Sequence, residues 1–235
     1  MSGLVVLLHA EGSPPLLTDD PGTPGDGHWE INLGVSREQR SGSRLSGLPL
    51  VDFNYGIGDR WQVMYAVSGL RLQEEGVPSV SGFGNSTIGV KWRFLEAGPA
   101  VSLHPQWEFN TPGASSDERG LVEAGSAFLL PVQFELPAGP LAVIGQAGRE
   151  FRAAGDAWFY GLAVAYEPTA RTAIAVELTG SATPRLDRTQ LTANFAVAVD
   201  CSEGTSLLFS IGRELHNHDE PRATFVGYLG FQWRL

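Results

Sequence analysis

The sequence predicts an all-β protein, an antiparallel up-and-down transmembrane β-barrel of about 12 strands. Three observations predict it. Apolar and polar residues alternate along most of the chain, and short turns alternate with longer polar connections. In addition, no apolar run reaches the 18 residues that a membrane-spanning helix needs, and the mean hydropathy is only −0.05.

The composition excludes several other classes of protein. Charged residues make up 18% of the 235 residues and aromatic residues 10%, which is not typical of a disordered chain. The net charge of −10 disfavours nucleic-acid binding, which requires a basic surface. A single cysteine can form neither an internal disulfide nor a multi-thiolate metal site.

The first 27 residues differ from the rest of the chain. Residues 1–10 resemble part of a secretory signal peptide, because the apolar run Leu4–Leu8 precedes a tolerable cleavage site, although no Lys or Arg comes before it. An ordinary apolar strand is the alternative. Residues 11–27 are polar and rich in Pro and Gly, and we interpret them as a periplasmic leader or plug. Residues 28–235 are assigned to the barrel.

The strands follow from the period of two. In the first, Trp29, Ile31, Leu33 and Val35 alternate with polar or small residues, and later segments repeat the pattern. Twelve strands, each of about nine to twelve residues, are therefore predicted around the alternating segments 29–36, 51–57, 61–68, 87–94, 101–110, 128–136, 141–147, 158–166, 172–178, 191–199, 207–211 and 225–235.

The connections distinguish between the possible all-β folds. Tight turns are predicted at 56–60, 96–98, 137–140, 167–171 and 201–205, and longer connections at 37–47, 69–82, 111–125, 150–156, 180–189 and 214–222. Strict alternation of short and long connections is typical of outer-membrane barrels. The apolar side chains should then face lipid, with aromatic girdles near the strand ends, whereas the alternative is the core of a soluble β domain.

Three segments resemble a known family. They are Leu17–Leu33, Pro49–Val63 and Gly82–Leu95, the last with the pattern Gly-Phe-Gly-Asn-Ser-Thr-Ile-Gly-Val-Lys-Trp-Arg. They resemble the bacterial outer-membrane transporter-like family named for a meta-pathway of phenol degradation. The resemblance covers the first hundred residues and implies a barrel in the outer membrane of a Gram-negative bacterium, with a role in transport.

Polar residues at inward positions are the candidate site. Ten of them are expected to line the lumen: Glu30, Asp52, Asn54, Lys91, Arg93, His104, Glu108, Glu135, Gln146 and Glu177. Lys91 is the only lysine, and with Arg93 it forms a basic pair toward the periplasmic end, for which Glu30 or Glu135 could be the partner. The pair could select solutes at a constriction, or it could belong to a structural ladder of ion pairs.

Catalytic and metal sites are not expected. A lipid hydrolase would need a serine nucleophile and a histidine base near the membrane rim, but Gly-x-Ser-x-Gly is absent, and His104 with Glu108 is interpreted as a hydrogen bond in the pore. His216 and His218 with their acidic neighbours are interpreted as a solvated loop rather than a metal site. No cofactor is predicted.

The sequence therefore predicts a porin-like channel or transporter that passes small solutes passively, aromatic or hydrophobic ones among them. A closed structural or adhesive barrel that acts through its extracellular loops is the alternative, and an outer-membrane lipid hydrolase is a third hypothesis. The expected partners are outer-membrane lipid, lipopolysaccharide and a small solute, with no nucleic acid, and the barrel is expected to be a monomer.

Overall fold

The computed structural model describes residues 14–96 and 98–235, so the expected signal-like segment 1–10 lies outside the described residues. The described chain is all-β, and it contains no helix long and apolar enough to cross a membrane. Its strands are β1 Trp29–Arg40, β2 Ser43–Ile57, β3 Trp61–Glu74, β4 Val80–Leu95, β5 Ala100–Leu103, β6 Gln106–Asn110, β7 Ser126–Ala138, β8 Leu141–Arg152, β9 Ala157–Thr169, β10 Thr172–Ala182, β11 Thr189–Ser202, β12 Thr205–Asn217 and β13 Phe225–Arg234.

The strands form one closed antiparallel barrel. Sequential strands pair with one another, and β1 pairs with β13, so the sheet has no free edge. Strands β5 and β6 both lie between β4 and β7 and are two parts of one barrel strand, interrupted at His104 and Pro105. Proline cannot donate a ladder hydrogen bond, which accounts for the interruption. The prediction of about 12 barrel strands is confirmed.

The outer surface of the barrel is apolar. Trp61 and Trp92 are 45% and 41% exposed and stack on each other with ring centroids 5.5 Å apart. Leu162 and Val176 are 50% and 57% exposed, while polar side chains such as Gln133 are fully buried. A water-soluble domain has the opposite distribution. This closed barrel with an apolar exterior is therefore a bacterial outer-membrane protein, and the soluble alternative is wrong.

The strands are longer than predicted, and this shortens the connections at one end. The unbroken strands have 10 to 16 residues. The predicted long connection 37–47 is instead a tight turn at Ser41 and Gly42, where Gly42 has a φ of 76°. Here β1 continues beyond the apolar band with polar residues on both faces, from Arg37 to Arg40, so the alternation that marks a lipid-facing strand ends before the strand does. Thr111–Gly125 remains a long connection, as predicted.

Candidate functional site

We call the described N-terminal residues, 14–27, the N-terminal segment; its first part lies inside the barrel, and Asp26 and Gly27 lie exposed at the periplasmic turn. The backbone N–H groups of Leu17 and Thr18 donate to the Glu177 carboxylate of β10 at 2.7 and 3.2 Å. The Asp19 N–H donates to Gln146 Oε1 of β8 at 3.1 Å, and Gln146 Nε2 donates back to the carbonyl of Leu17 at 3.3 Å. Two inward-facing side chains predicted from the sequence therefore hold the backbone of this segment.

Asp19 is the centre of the contacts made by the N-terminal segment. Lys91 Nζ donates to Asp19 Oδ1 at 3.0 Å and to the carbonyl of Asp20 at 2.7 Å. On the other carboxylate oxygen, Asp19 Oδ2, His104 Nδ1 lies at 2.9 Å and Gln133 Nε2 donates at 2.5 Å. Asp19 is 3% exposed and Lys91 is 2% exposed, so the ion pair is buried. Because each charge has its partner, the large cost of burying either one alone is avoided.

The electrostatics of this cluster favour the ionised carboxylate. Burial alone would raise the pKa of Asp19, but the charge of Lys91 and the hydrogen bond from His104 outweigh it and hold that pKa well below its usual range. Asp19 is therefore negatively charged at neutral pH. The charge of Lys91 is compensated within the lumen and does not attract solute anions as a free cation would.

Two glycines of the barrel wall make room for the N-terminal segment. A Cβ atom at Gly161 of β9 would overlap the hydroxyl of Thr18, and one at Gly56 of β2 would overlap the carbonyl of Gly25. At the periplasmic end, the Gly58 N–H donates to Asp26 Oδ1 at 2.7 Å. The absence of side chains at Gly161 and Gly56 is needed for the close approach of the N-terminal segment to the barrel wall.

The predicted basic pair does not act as one unit. Lys91 forms its ion pair with Asp19 rather than with Glu30 or Glu135, which were the expected partners. Arg93 lies nearer the turn, where Nη2 donates to the carbonyl of Asp59 at 2.9 Å. The expectation was wrong because the partner comes from outside the strands, from a segment that alternation cannot place.

Of the remaining predicted residues, Glu30, Asp52 and Asn54 take part in hydrogen bonds among neighbouring polar side chains. Glu135 lies half-buried on β7, and Glu30 accepts a hydrogen bond from Asn32 at 3.3 Å. Asn54 donates to Asp52 Oδ2 at 2.9 Å.

Glu108 belongs to a separate ion-pair cluster. It accepts from Arg152 at 2.7 Å, so the predicted bond between His104 and Glu108 is wrong: His104 contacts Asp19 instead. Arg152 also pairs with Glu150 at 2.6 Å and with Glu123 at 3.2 Å. Arg152 was not among the predicted lumen residues, although it shares its inward parity with Gln146.

The extracellular half of the lumen contains a cavity of about 710 Å³. Its floor includes Leu17, Asn32 and Asp52. The apolar side chains of its walls are Leu50, Leu70, Val122 and Val226. The charged side chains of its walls are Glu108, Glu123, Glu150 and Arg152. The loop residues Asp156, Arg188, Asp219 and Glu220 complete its rim. The lumen therefore has two parts, a periplasmic half filled by the N-terminal segment and an extracellular half that holds the cavity.

No protein family and no curated protein matches this sequence. Among solved structures, the chain is similar to an outer membrane channel from Pseudomonas putida F1, with a TM-score of 0.76 and 14% identity over 96% of this chain and 100% of that chain. The NanC porin gives a TM-score of 0.62 at 8% identity over 86% of this chain and 98% of that one. The CymD monoaromatic hydrocarbon channel gives 0.52 at 8% identity over 90% and 89%.

The fold is that of outer-membrane channel barrels. At these identities the likeness concerns the fold, and the resemblance to the phenol-degradation family is not confirmed.

The structure also places the histidine that was considered for a lipid hydrolase. His104 is 2% exposed and lies within the lumen, not at the membrane rim where a lipid hydrolase would need its base. Within residues 14–96 and 98–235, no three His, Cys, Asp or Glu side chains are grouped so that they could hold a metal ion.

Proposed function

We propose that this barrel is a passive channel for small solutes, which enter the extracellular cavity and leave past the N-terminal segment. The observation that carries the proposal is the cavity of about 710 Å³ inside a closed barrel, bounded by loop residues above and the N-terminal segment below. A barrel that served only as a scaffold could fill this space with side chains. The cavity offers a small molecule both apolar contacts and polar partners.

Passage through the periplasmic half requires the N-terminal segment to shift, because its atoms occupy the space. Its contacts are mainly hydrogen bonds to backbone groups, as at Glu177 and Gln146, and water can replace such bonds at a net cost of about 1 kcal/mol each. The Asp19–Lys91 pair is the strongest single attachment. The energy for transport would come from the solute gradient alone.

The cavity walls indicate which solutes would pass. Leu50 and Leu70 provide apolar contact, which suits aromatic or otherwise hydrophobic molecules. Carboxylates outnumber guanidinium groups among the lining residues, so cations and neutral molecules should be favoured over anions. One structural neighbour is described as a monoaromatic hydrocarbon channel, which fits a solute of this kind.

Single-channel recording in a planar bilayer tests the proposal, after heat-modifiable gel migration has verified that the barrel is folded. We expect discrete current steps and a reversal potential that indicates cation preference. A folded barrel that carries no current, and that also releases no aromatic solute from loaded vesicles, would contradict the proposal.

The closed-barrel alternative is favoured by one observation, the filled periplasmic half of the lumen. If the barrel acts through its loops as an adhesive protein, shortening the 111–125 connection should abolish adhesion. The barrel should carry no current either before or after the deletion. Current that survives such a deletion would favour the channel.

A further inference from the structure

The floor of the cavity contains acceptor atoms without donors. Asn32 is 2% exposed, and its amide nitrogen donates to Asp52 Oδ2 at 3.1 Å. Its carbonyl oxygen, Oδ1, is buried and accepts no hydrogen bond within the described residues, and the same is true of Asp52 Oδ1. A buried acceptor without a donor is costly, which indicates that these two atoms face a bound group that donates.

The register of the barrel brings the two acceptors together. Asn32 of β1 pairs directly with Asp52 of β2, so their side chains are neighbours on the inner wall. Both residues line the cavity. Farther toward the extracellular side, Ser36 Oγ is a third buried acceptor without a partner among the described residues, and Ser36 also lines the cavity. The acceptors thus lie along one stripe of β1 and its neighbour.

An aromatic ring lies beside this stripe. Tyr228 of β13 is opposite Ser36, and its ring covers Gly34 and Gly230, where a Cβ atom would overlap the ring. The two glycines leave room for the ring at this point of the wall, and Tyr228 lines the cavity. The face of an aromatic ring attracts cations, and its surface is apolar. Leu50, opposite Gly34 on the other side, extends the apolar surface.

We propose that these residues form a subsite for a primary ammonium group attached to an apolar or aromatic body. The ammonium would donate to Asp52 Oδ1 and Asn32 Oδ1, and the body would lie along Tyr228 and Leu50. This inference rests on the proposed channel function and names the class of solute. The neighbouring groups agree with it: Glu30 places a second carboxyl group beside Asn32, and the one lysine is neutralised by Asp19.

Three probes of similar size test the subsite on the full-length barrel in detergent micelles: 2-phenylethylammonium, 2-phenylethanol and 3-phenylpropionate. Isothermal titration calorimetry should give the tightest binding for the ammonium, by about tenfold or more over the alcohol, because hydrogen bonds to charged groups are the stronger ones. The carboxylate should bind most weakly. This series needs no variant, so a folding defect cannot affect the result.

Asp52→Asn keeps the shape of the side chain and removes its charge. It should abolish the preference for the ammonium over the alcohol and leave the binding of the alcohol unchanged. Asp200→Asn is the matched control, because Asp200 loses the same charge on a barrel strand but lies outside the cavity, paired with Arg234 at 2.8 Å. The control should bind the ammonium as the wild type does.

The two proposals fail in different ways. Equal affinity for the ammonium and the alcohol would overturn the subsite even if the barrel conducts, and so would an ammonium preference that persists in Asp52→Asn. The acceptor atoms of Asn32 and Asp52 would then accept hydrogen bonds from water. Selective ammonium binding by a folded barrel that carries no current and releases no aromatic solute from loaded vesicles would support the subsite and overturn the channel.

Discussion

The two halves of the lumen are built by the same strands but have different interiors. In the periplasmic half, Lys91, Gln133 and Gln146 all have partners in the N-terminal segment. In the extracellular half, Asn32 and Asp52 have acceptor atoms without donors among the described residues, and a cavity lies over them. The difference arises from the 14–27 stretch and not from the barrel wall. A barrel of this size can therefore be closed or open according to one segment.

The energetics of the two halves differ accordingly. The Lys91–Asp19 pair is buried, and removing one member of such a pair costs more than the pair itself contributes. In the Arg152 cluster near the cavity, one guanidinium group faces three carboxylates, and the Glu123 side chain is 32% exposed, so water screens part of the cluster. Substitutions should therefore act most strongly where they affect the N-terminal segment.

Removal of the N-terminal segment should have the largest effect. A chain that lacks residues 14–24 should conduct several-fold more current than the wild type, because the periplasmic half of its lumen is filled only by side chains and water. Planar-bilayer recordings measure this directly. A matched control replaces the same residues with a Gly/Ser sequence of equal length, which keeps the chain but loses the contacts, and it should also conduct more. Unchanged current in both variants would contradict the division into two halves.

Asp19→Asn should have the next largest effect. It leaves Lys91 buried without a carboxylate partner, which should weaken the attachment of the N-terminal segment by about 3 kcal/mol. The fraction of time that the channel spends with the N-terminal segment displaced, and therefore with a larger current, should rise. Asp20→Asn is the control: it makes the same change in charge one residue away, but Lys91 contacts only the backbone carbonyl of Asp20. If both variants open the channel equally, the N-terminal segment is held by its overall negative charge and not by the ion pair between Asp19 and Lys91.

Gly161→Ala should have a smaller effect of the same kind. The added methyl group would overlap the hydroxyl of Thr18 and push the N-terminal segment away from β9. Single-channel recording should show more frequent openings. The double variant Gly161→Ala with Thr18→Gly removes the overlap and should return to the wild-type pattern. Openings that persist in the double variant would instead indicate a distorted strand.

Much of the barrel follows from the sequence because the alternation of side chains is a local signal. The parity that places Leu33 outward places Asn32 and Gly34 inward, and each later strand repeats the rule. Strand ends were predicted less well, since beyond the apolar band Glu38 and Arg40 still belong to β1 but no longer alternate with lipid-facing residues.

The partners within the lumen could not be predicted in the same way. Alternation identified Lys91 and His104 as inward residues, but both contact Asp19, which lies 72 and 85 positions away from them in a segment without any period. Which strand faces which part of a threaded segment depends on the shape of the whole barrel. The sequence offered only the polar character of residues 11–27, which is compatible with a plug but more typical of a flexible leader.

Arg93→Gln should have the smallest effect, a modest shift of the reversal potential toward cations. Because Lys91 is neutralised by Asp19, Arg93 is left as the basic residue of the predicted pair whose charge can influence passing ions. Arg60→Gln is a matched control, since both arginines approach Glu96, at 3.2 Å for Arg60 and 3.6 Å for Arg93. The Arg60 side chain is 59% exposed and that of Arg93 26%, so salt should screen Arg60 more effectively. Equal shifts in the two variants would show that selectivity is set outside the lumen.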